Sequence, residues 1–271
     1  MTLFSGRGLH SGAPASVRFV RAPGAVRLRA SGAEARLAEL VLDGSARSTC
    51  ASTRDGRVRV GTVEHLFAAL ASMSIRDGVV VEIEGPEVPL VDGGARAFID
   101  ALSELRVDPS PPSLTVVRQG SIDVGGSRYE VRPPAHPTEV RLEVEVDFDD
   151  LRLERHARWA GDAADFRERI APARTFGFEH EISELTARGL ASHVDRESVV
   201  VIAKDAILSA GRPFRADEPV RHKLLDLAGD LYAHGGPPLG SVRAKRPGHA
   251  ATHEAMQRGL AEGLLMLTRT R

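Results

Sequence analysis

The chain has 271 residues, 42% hydrophobic and 27% charged, and its formal net charge is −1. That balance excludes a general nucleic-acid binder and suits a soluble globular protein. The single cysteine, Cys50, excludes an intrachain disulfide and a multi-thiolate metal site, so any metal must sit on His, Asp or Glu. The start, MTLFSGRGLHSG, lacks the charged and apolar regions of a signal peptide, and no apolar run nears the roughly 18 residues that span a bilayer. A cytoplasmic protein without a transmembrane segment is expected.

In chain order, alternating runs predict strands in ASVRFVR, AVRLRAS and VVVEIEG, followed by helices over TVEHLFAALASM and ARAFIDALSEL. The stretch VDPSPPSL, residues 107–114, carries three prolines and two serines and marks a boundary. Beyond it, strands are predicted in LTVVRQG, YEVRP, VRLEVEVDF, SVVVIA and LGSVRAK. Helices are predicted in DAADFRERIA, FEHEISELTARG, PVRHKLLDLAGDL and HEAMQRGLAEGLLMLTR. Strand runs followed by helix runs argue for an α+β fold rather than a doubly wound parallel sheet. The like order of the two halves predicts two similar domains, residues 1–108 and 113–271, each a sheet layered against helices.

In TVEHLFAAL, Thr62 is placed to cap the helix, and Glu64 in the first turn suits the positive end of the dipole. Val63, Leu66, Phe67 and Leu70 form the core stripe. His65, Ala68, Ala69 and Ser72 share another face, on which small alanines admit a close neighbour. Taken alone, Glu64-His65 reads as an ordinary helix start with a surface histidine.

In PVRHKLLDLAGDL, His222, Asp226 and Asp230 recur every fourth residue and stack on one face, away from Val220, Leu224, Leu227 and Leu231. A His-x-x-x-Asp pair can hold one metal ion, although alone it is more often a surface ion pair. With His65 it makes three ligands, the number that catalytic zinc takes, and leaves Glu64 to accept a proton from the attacking water. In AKRPGHAATHEAM, the Pro247-Gly248 turn delivers His249 at or near the start of the last helix, as a general acid or as a loop histidine. In ARTFGF, Phe176 and Phe178 flank Gly177 and, with Thr175, line a binding slot or simply pack in the core. His136, His156, His180, His193, His234 and His253 are read as loop or surface residues. Only three basic residues are lysines, Lys204, Lys223 and Lys245, which singles out Lys223.

These stretches, with GRGLHSG, PEVPLVDGGARAFI, IAPARTFGF, RGL and GHA, run almost end to end and in order. The chain resembles the UDP-3-O-acyl-N-acetylglucosamine deacetylase family, the zinc amidases of lipid A synthesis. The resemblance implies two facing α+β domains with the active site in the cleft between them. It implies metal ligation by His65, His222 and Asp226, a general base at Glu64, and a general acid or electrostatic partner at His249. It implies a carbonyl contact at Thr175, supporting roles for Lys223 and Asp230, and sugar-nucleotide contacts at Phe176, Gly177 and Phe178. Zn²⁺ is the implied cofactor, with Fe²⁺ an alternative, since two His and one carboxylate also make a ferrous site. The implied partner is a sugar-nucleotide substrate bearing an acyl chain, acted on by a monomer.

Two departures stand out. The stretch LASHVDRESVVV is bulkier and more charged than the Gly/Ser-rich acyl passage of the family, which predicts a preference for shorter chains. Asp77 stands where an asparagine is common. Rival readings are a paralogous deacetylase of another N-acetylated sugar, a ferrous oxygenase and a non-catalytic sugar-nucleotide module. Glu64 beside a ligand favours hydrolysis over oxygenation, and retention of both Glu64 and Asp226 argues against the module.

Overall fold

Period-two alternation in the first half builds a five-stranded sheet. The computed structural model describes residues 2–45, 47–180 and 195–268. The sheet's strands lie in the order Leu3–Arg7, Pro14–Ala25, Asp77–Glu84, Arg27–Ala30, Ala33–Arg36. The first two form an antiparallel hairpin. The central strand is antiparallel to the second and parallel to Arg27–Ala30, and Ala33–Arg36 adds an antiparallel edge. Val17, Phe19, Leu28, Val81 and Ile83 are buried, while Arg18, Arg29, Glu34 and Glu82, at the alternate positions, form an ion-pair net. Such one-sided patterning is what a sheet covered on one face requires.

The second half repeats this topology with different residues. Gly120–Val124, Ser127–Arg132, Gly240–Lys245, Val140–Glu145 and His156–Trp159 lie in that order. Again there is a hairpin, then a late central strand antiparallel to one neighbour and parallel to the other, then an antiparallel edge. The α+β class expected from the sequence is the one observed.

Among the described residues the helices are α1 (Glu64–Ser72), α2 (Arg96–Glu104), α3 (Ala163–Asp165, running into a π-helical turn at Phe166–Ile170), α4 (Glu218–Ala233) and α5 (His249–Ala261). Phe98 of α2 sets its ring edge against Phe4 and Phe19 of the first sheet. Thr252 of α5 shares a 2.9 Å hydrogen bond with Tyr129 of the second sheet, both side chains buried. A single cluster of buried apolar residues runs through both halves. Residues 107–112 between them form neither helix nor strand.

At the centre α1 crosses α4, and the contact is backbone to backbone. A Cβ added to Gly229 of α4 would lie 2.0 Å from the Glu64 carbonyl oxygen and 3.1 Å from the Ala68 nitrogen of α1. The close neighbour admitted by Ala68 and Ala69 is therefore α4. For the same reason α4 is buried on both faces, its apolar stripe of Val220, Leu224, Leu227 and Leu231 as well as its polar one.

Several local expectations are corrected. Thr62 does not cap α1: Val63 occupies that position without a side-chain cap, and the Thr62 hydroxyl donates to Glu87 at 3.3 Å instead. The last helix starts earlier than predicted and stops at Ala261, after which Leu265–Leu267 pairs as a strand with Leu114–Val116. The apolar tail LLML, residues 264–267, fits either element by pattern alone. DAADFRERIA is split between a single α turn and a π turn. The predicted FEHEISELTARG helix falls mostly outside the described residues, as do RGL, His193 and the start of LASHVDRESVVV.

Replacing Gly229 with alanine tests the crossing. An exposed helix would gain about 1 kcal/mol from this change, whereas forcing a methyl into packed backbone costs about 1–3 kcal/mol. With no flexible side chain able to yield, the cost should win. Thermal unfolding should show a lower midpoint for Gly229→Ala; an unchanged or higher midpoint would mean that the helices part freely.

Candidate metal centre

His65 projects from the first turn of α1, and His222 and Asp226 from successive turns of α4, so the crossing brings the three together. One ligand atom from each lies within 4.8 Å of the others, and all three side chains are buried. The two imidazoles meet edge to face, with centroids 4.9 Å apart. His222 places its Nδ1 3.0 Å from the Ala173 carbonyl. Because a carbonyl only accepts, Nδ1 carries the proton and Nε2 presents a bare lone pair. That Nε2 lies 3.4 Å from Asp226 Oδ1, and His65 Nε2 lies 3.7 Å from the same oxygen.

The two carboxylate oxygens of Asp226 differ. Oδ2 accepts from Lys223 Nζ at 2.9 Å, whereas Oδ1 is buried without a hydrogen bond. Burial alone would raise the Asp226 pKa, but Lys223, His222, His249 and His65 outweigh it and hold the group well below the usual carboxylate range. Burial and then His222 push His65 down to about 3, and burial likewise lowers His222. Two neutral imidazoles and an ionised oxygen lacking a proton donor form a set that a divalent cation completes.

Glu64 sits one residue from His65, 2% exposed, and its Oε2 accepts from the Thr49 backbone N–H at 3.0 Å. Burial raises its pKa to about 7. His249, the first residue of α5, directs Nδ1 to Asp230 at 2.9 Å and places Nε2 4.0 Å from Asp226 Oδ2. Burial opposes charging of this ring, but Asp230 prevails, and the His249 pKa rises to about 9. A buried base that is half-neutral near pH 7 thus faces a buried acid that stays charged.

Gly44 makes room for this acid, since a Cβ there would lie 2.5 Å from the His249 carbonyl carbon. Lys223 remains above its ordinary pKa: burial pulls it down, but Asp226 more than compensates.

Thr175, Phe176, Gly177 and Phe178 form one short strand, Thr175–Phe178, two residues after the carbonyl that holds His222. Phe176 reaches the centre: its ring lies 6.2 Å from that of His222, with Lys223 Nζ 5.8 Å from its centroid. Phe178 sits one step further out, against Phe148 and His180. Both also pack beside the small apolar cluster of Leu153, Val200 and Ile202. Gly177 is buried between them, and Thr175 is half-buried at the head of the strand.

The model of the UDP-3-O-acyl N-acetylglycosamine deacetylase family matches residues 1–261. This chain belongs to that family. It is 36% identical over 266 residues to the UDP-3-O-acyl-N-acetylglucosamine deacetylase of Myxococcus xanthus (strain DK1622), covering 95% of this chain and 83% of the relative. Its identity to the proteins of the same name from Brucella melitensis biotype 2 (strain ATCC 23457) and Brucella abortus (strain 2308) is 35% over 268 residues. These alignments cover 95% of this chain and 92% of each relative.

Four further residues lie near the centre without having been expected there. His253, expected at the surface, is 3% exposed, and its Nε2 lies 3.0 Å from Thr49 Oγ1. His234, expected in the HGGPP terminator of the helix, is indeed the C-cap of α4, and it meets His253 at 2.9 Å. Thr49 lies on the strand Thr49–Ser52, ahead of the TVEHLFAAL stretch and outside it. Phe148 closes the aromatic cluster with Phe176 at 5.7 Å. His249 and His253 are four residues apart on one helix face, which was the available clue for the histidine.

Removing Asp226 tests the centre. Loss of an outer hydrogen-bond partner typically weakens metal binding by about 10–100-fold, so loss of a ligand should cost more. Zinc titration of metal-free Asp226→Ala should show this weakening in a folded chain. Wild-type affinity in that variant would remove Asp226 from the ligand set.

Proposed function

We propose that this chain hydrolyses the N-acetyl group of UDP-3-O-acyl-N-acetylglucosamine, releasing acetate and the free amine, as a zinc-dependent deacetylase of lipid A biosynthesis working in the cytoplasm. The observation that carries this reading is the orphaned Asp226 Oδ1, buried between His65 and His222, with an acid and a base on either side. A cation there would polarise the amide carbonyl and make water more acidic.

The remaining work falls to the chain's own groups. Glu64, placed by its Thr49 hydrogen bond, takes a proton from the attacking water. His249, kept charged by Asp230, offers its Nε2 proton to the leaving nitrogen as the C–N bond breaks. Thr175 donates to the carbonyl oxygen as negative charge grows on it. Lys223 fixes Asp226 Oδ2, so that the other oxygen keeps its direction. Phe176, Gly177 and Phe178 offer an apolar wall to the sugar nucleotide. The decisive experiment is acetate release from acylated UDP-N-acetylglucosamines of several chain lengths, using protein loaded with zinc or with ferrous iron. No acetate from any of them would refute the reading.

The pH dependence follows from the two raised pKa values. Glu64 works only when ionised, so activity should climb as pH rises through its pKa, about 7. His249 works only when protonated, so activity should fall as pH rises through about 9. The profile of kcat/KM should be a bell whose limbs belong to coupled groups; a bound cation, by its charge, moves both limbs to lower pH. Glu64→Ala should lower kcat by about 10²-fold or more with zinc content retained. In His249→Ala the alkaline limb should vanish, and its persistence would assign that limb to another group.

A further inference from the structure

Thr49 joins the two arms of the proposed chemistry. Fully buried on its strand, it gives its backbone N–H to Glu64 Oε2 at 3.0 Å and its hydroxyl to Asp230 Oδ1 at 2.6 Å. The same hydroxyl oxygen lies 3.0 Å from His253 Nε2, and His253 Nδ1 lies 2.9 Å from His234 Nε2. We propose that Thr49 is the positioning residue that ties the base Glu64 to the Asp230–His249 pair, and that His253 and His234 lock its hydroxyl proton toward Asp230. The inference rests on the deacetylase reading above.

The direction of each bond follows from the count of protons. A hydroxyl has one proton, and an ionised carboxylate only accepts, so the Thr49 proton goes to Asp230. His253 Nε2 must then donate to Thr49, which requires its proton on Nε2. A neutral imidazole has no second N–H, so His253 Nδ1 accepts from the Nε2–H of His234. Burial lowers the pKa of both rings, His234 to about 4, in keeping with two neutral imidazoles. The result is a one-way chain, His234 to His253 to Thr49 to Asp230, with every donor pointing inward.

This chain has a consequence for the acid. Thr49 occupies Asp230 Oδ1, while His249 Nδ1 lies 2.9 Å from Oδ2 and 3.1 Å from Oδ1. Pinning the carboxylate pins the imidazole plane, and with it the approach of Nε2 to the centre. Because the backbone of the same threonine holds Glu64, one residue sets the spacing of base and acid. A valine has the same shape and would satisfy the core equally, so packing alone does not call for the hydroxyl.

Acetate release by the wild-type, zinc-loaded chain comes first, because its absence would sink the deacetylase reading rather than the role of Thr49. With that established, Thr49→Val should lower kcat by about 10–100-fold, the usual cost of an outer hydrogen-bond partner. Its KM should stay within about twofold and its zinc content should be unchanged. Thr49→Ser, which keeps the hydroxyl, should restore kcat to within about threefold of wild type. A Thr49→Val kcat within about twofold of wild type overturns the proposal, as does a Thr49→Ser variant as slow as the valine one. Imidazole ¹⁵N spectra of the metal-free wild-type chain give a readout independent of activity and of how the variants fold. Both His253 and His234 should carry their proton on Nε2, and a His253 proton on Nδ1 overturns the proposal.

Discussion

The close crossing of α1 and α4 is the contact on which the centre depends. Glycine at 229 lets the helix backbones approach so nearly that even a methyl group would strike the Glu64 carbonyl. That approach sets Glu64 and His65, from the first half of the chain, against His222, Asp226 and Asp230 from the second. Ordinary helix pairs lie 8–10 Å apart because side chains intervene; small residues at the crossing remove that spacer. Ligands from separate helices can therefore converge on one point while the surrounding apolar core stays closed.

Placing the centre at the crossing means burying charge, and most of the nearby polar contacts answer that demand. Lys223 neutralises one oxygen of Asp226, and His249 and Thr49 satisfy Asp230. A separate buried pair, Arg174 with Glu218, anchors the start of α4. Arg174 gives its backbone N–H and its Nε to Glu218 at 3.1 and 2.8 Å, with its side chain wholly enclosed. Since Ala173 holds His222 and Arg174 holds Glu218, the ARTFGF segment is fastened to α4 at two points. Its aromatic residues are thereby carried to the edge of the centre. Asp226 Oδ1 is left open, and an unpaired buried oxygen is costly unless a ligand completes it.

Much of this was legible in the sequence because it rests on periodicity. Alternation located the inner strands of both sheets but not Leu3–Arg7, Ala33–Arg36, Gly120–Val124 or His156–Trp159, whose runs are short. The i, i+4 spacing placed His222, Asp226 and Asp230 on one face of α4. Motif resemblance then linked that face to His65 and His249. What could not be read was contact between distant segments. Nothing local to Thr49 shows that its hydroxyl meets Asp230, 181 residues away. His253 looks like a surface residue and His234 like part of a helix terminator, and what brings them to Thr49 is packing among α4, α5 and the strand that bears it. Thr62 is not a cap because α1 starts one residue later than the pattern suggests, leaving Val63 in the cap position. The repeated sheet topology was visible only as a like order of strand runs, because the core tolerates many apolar residues at each buried site.

The claim at the heart of this account is that the buried His65–His222–Asp226 cluster is incomplete without a cation. Thermal unfolding of the metal-free chain at increasing zinc concentration measures this directly. A ligand that binds only the folded state adds about 4 kcal/mol when its free concentration is about 1,000 times its dissociation constant. The unfolding midpoint should rise by several degrees and continue to climb with the logarithm of zinc concentration, while His222→Ala should respond only weakly. A wild-type midpoint that does not move with zinc, in a chain shown to be folded, would contradict the account.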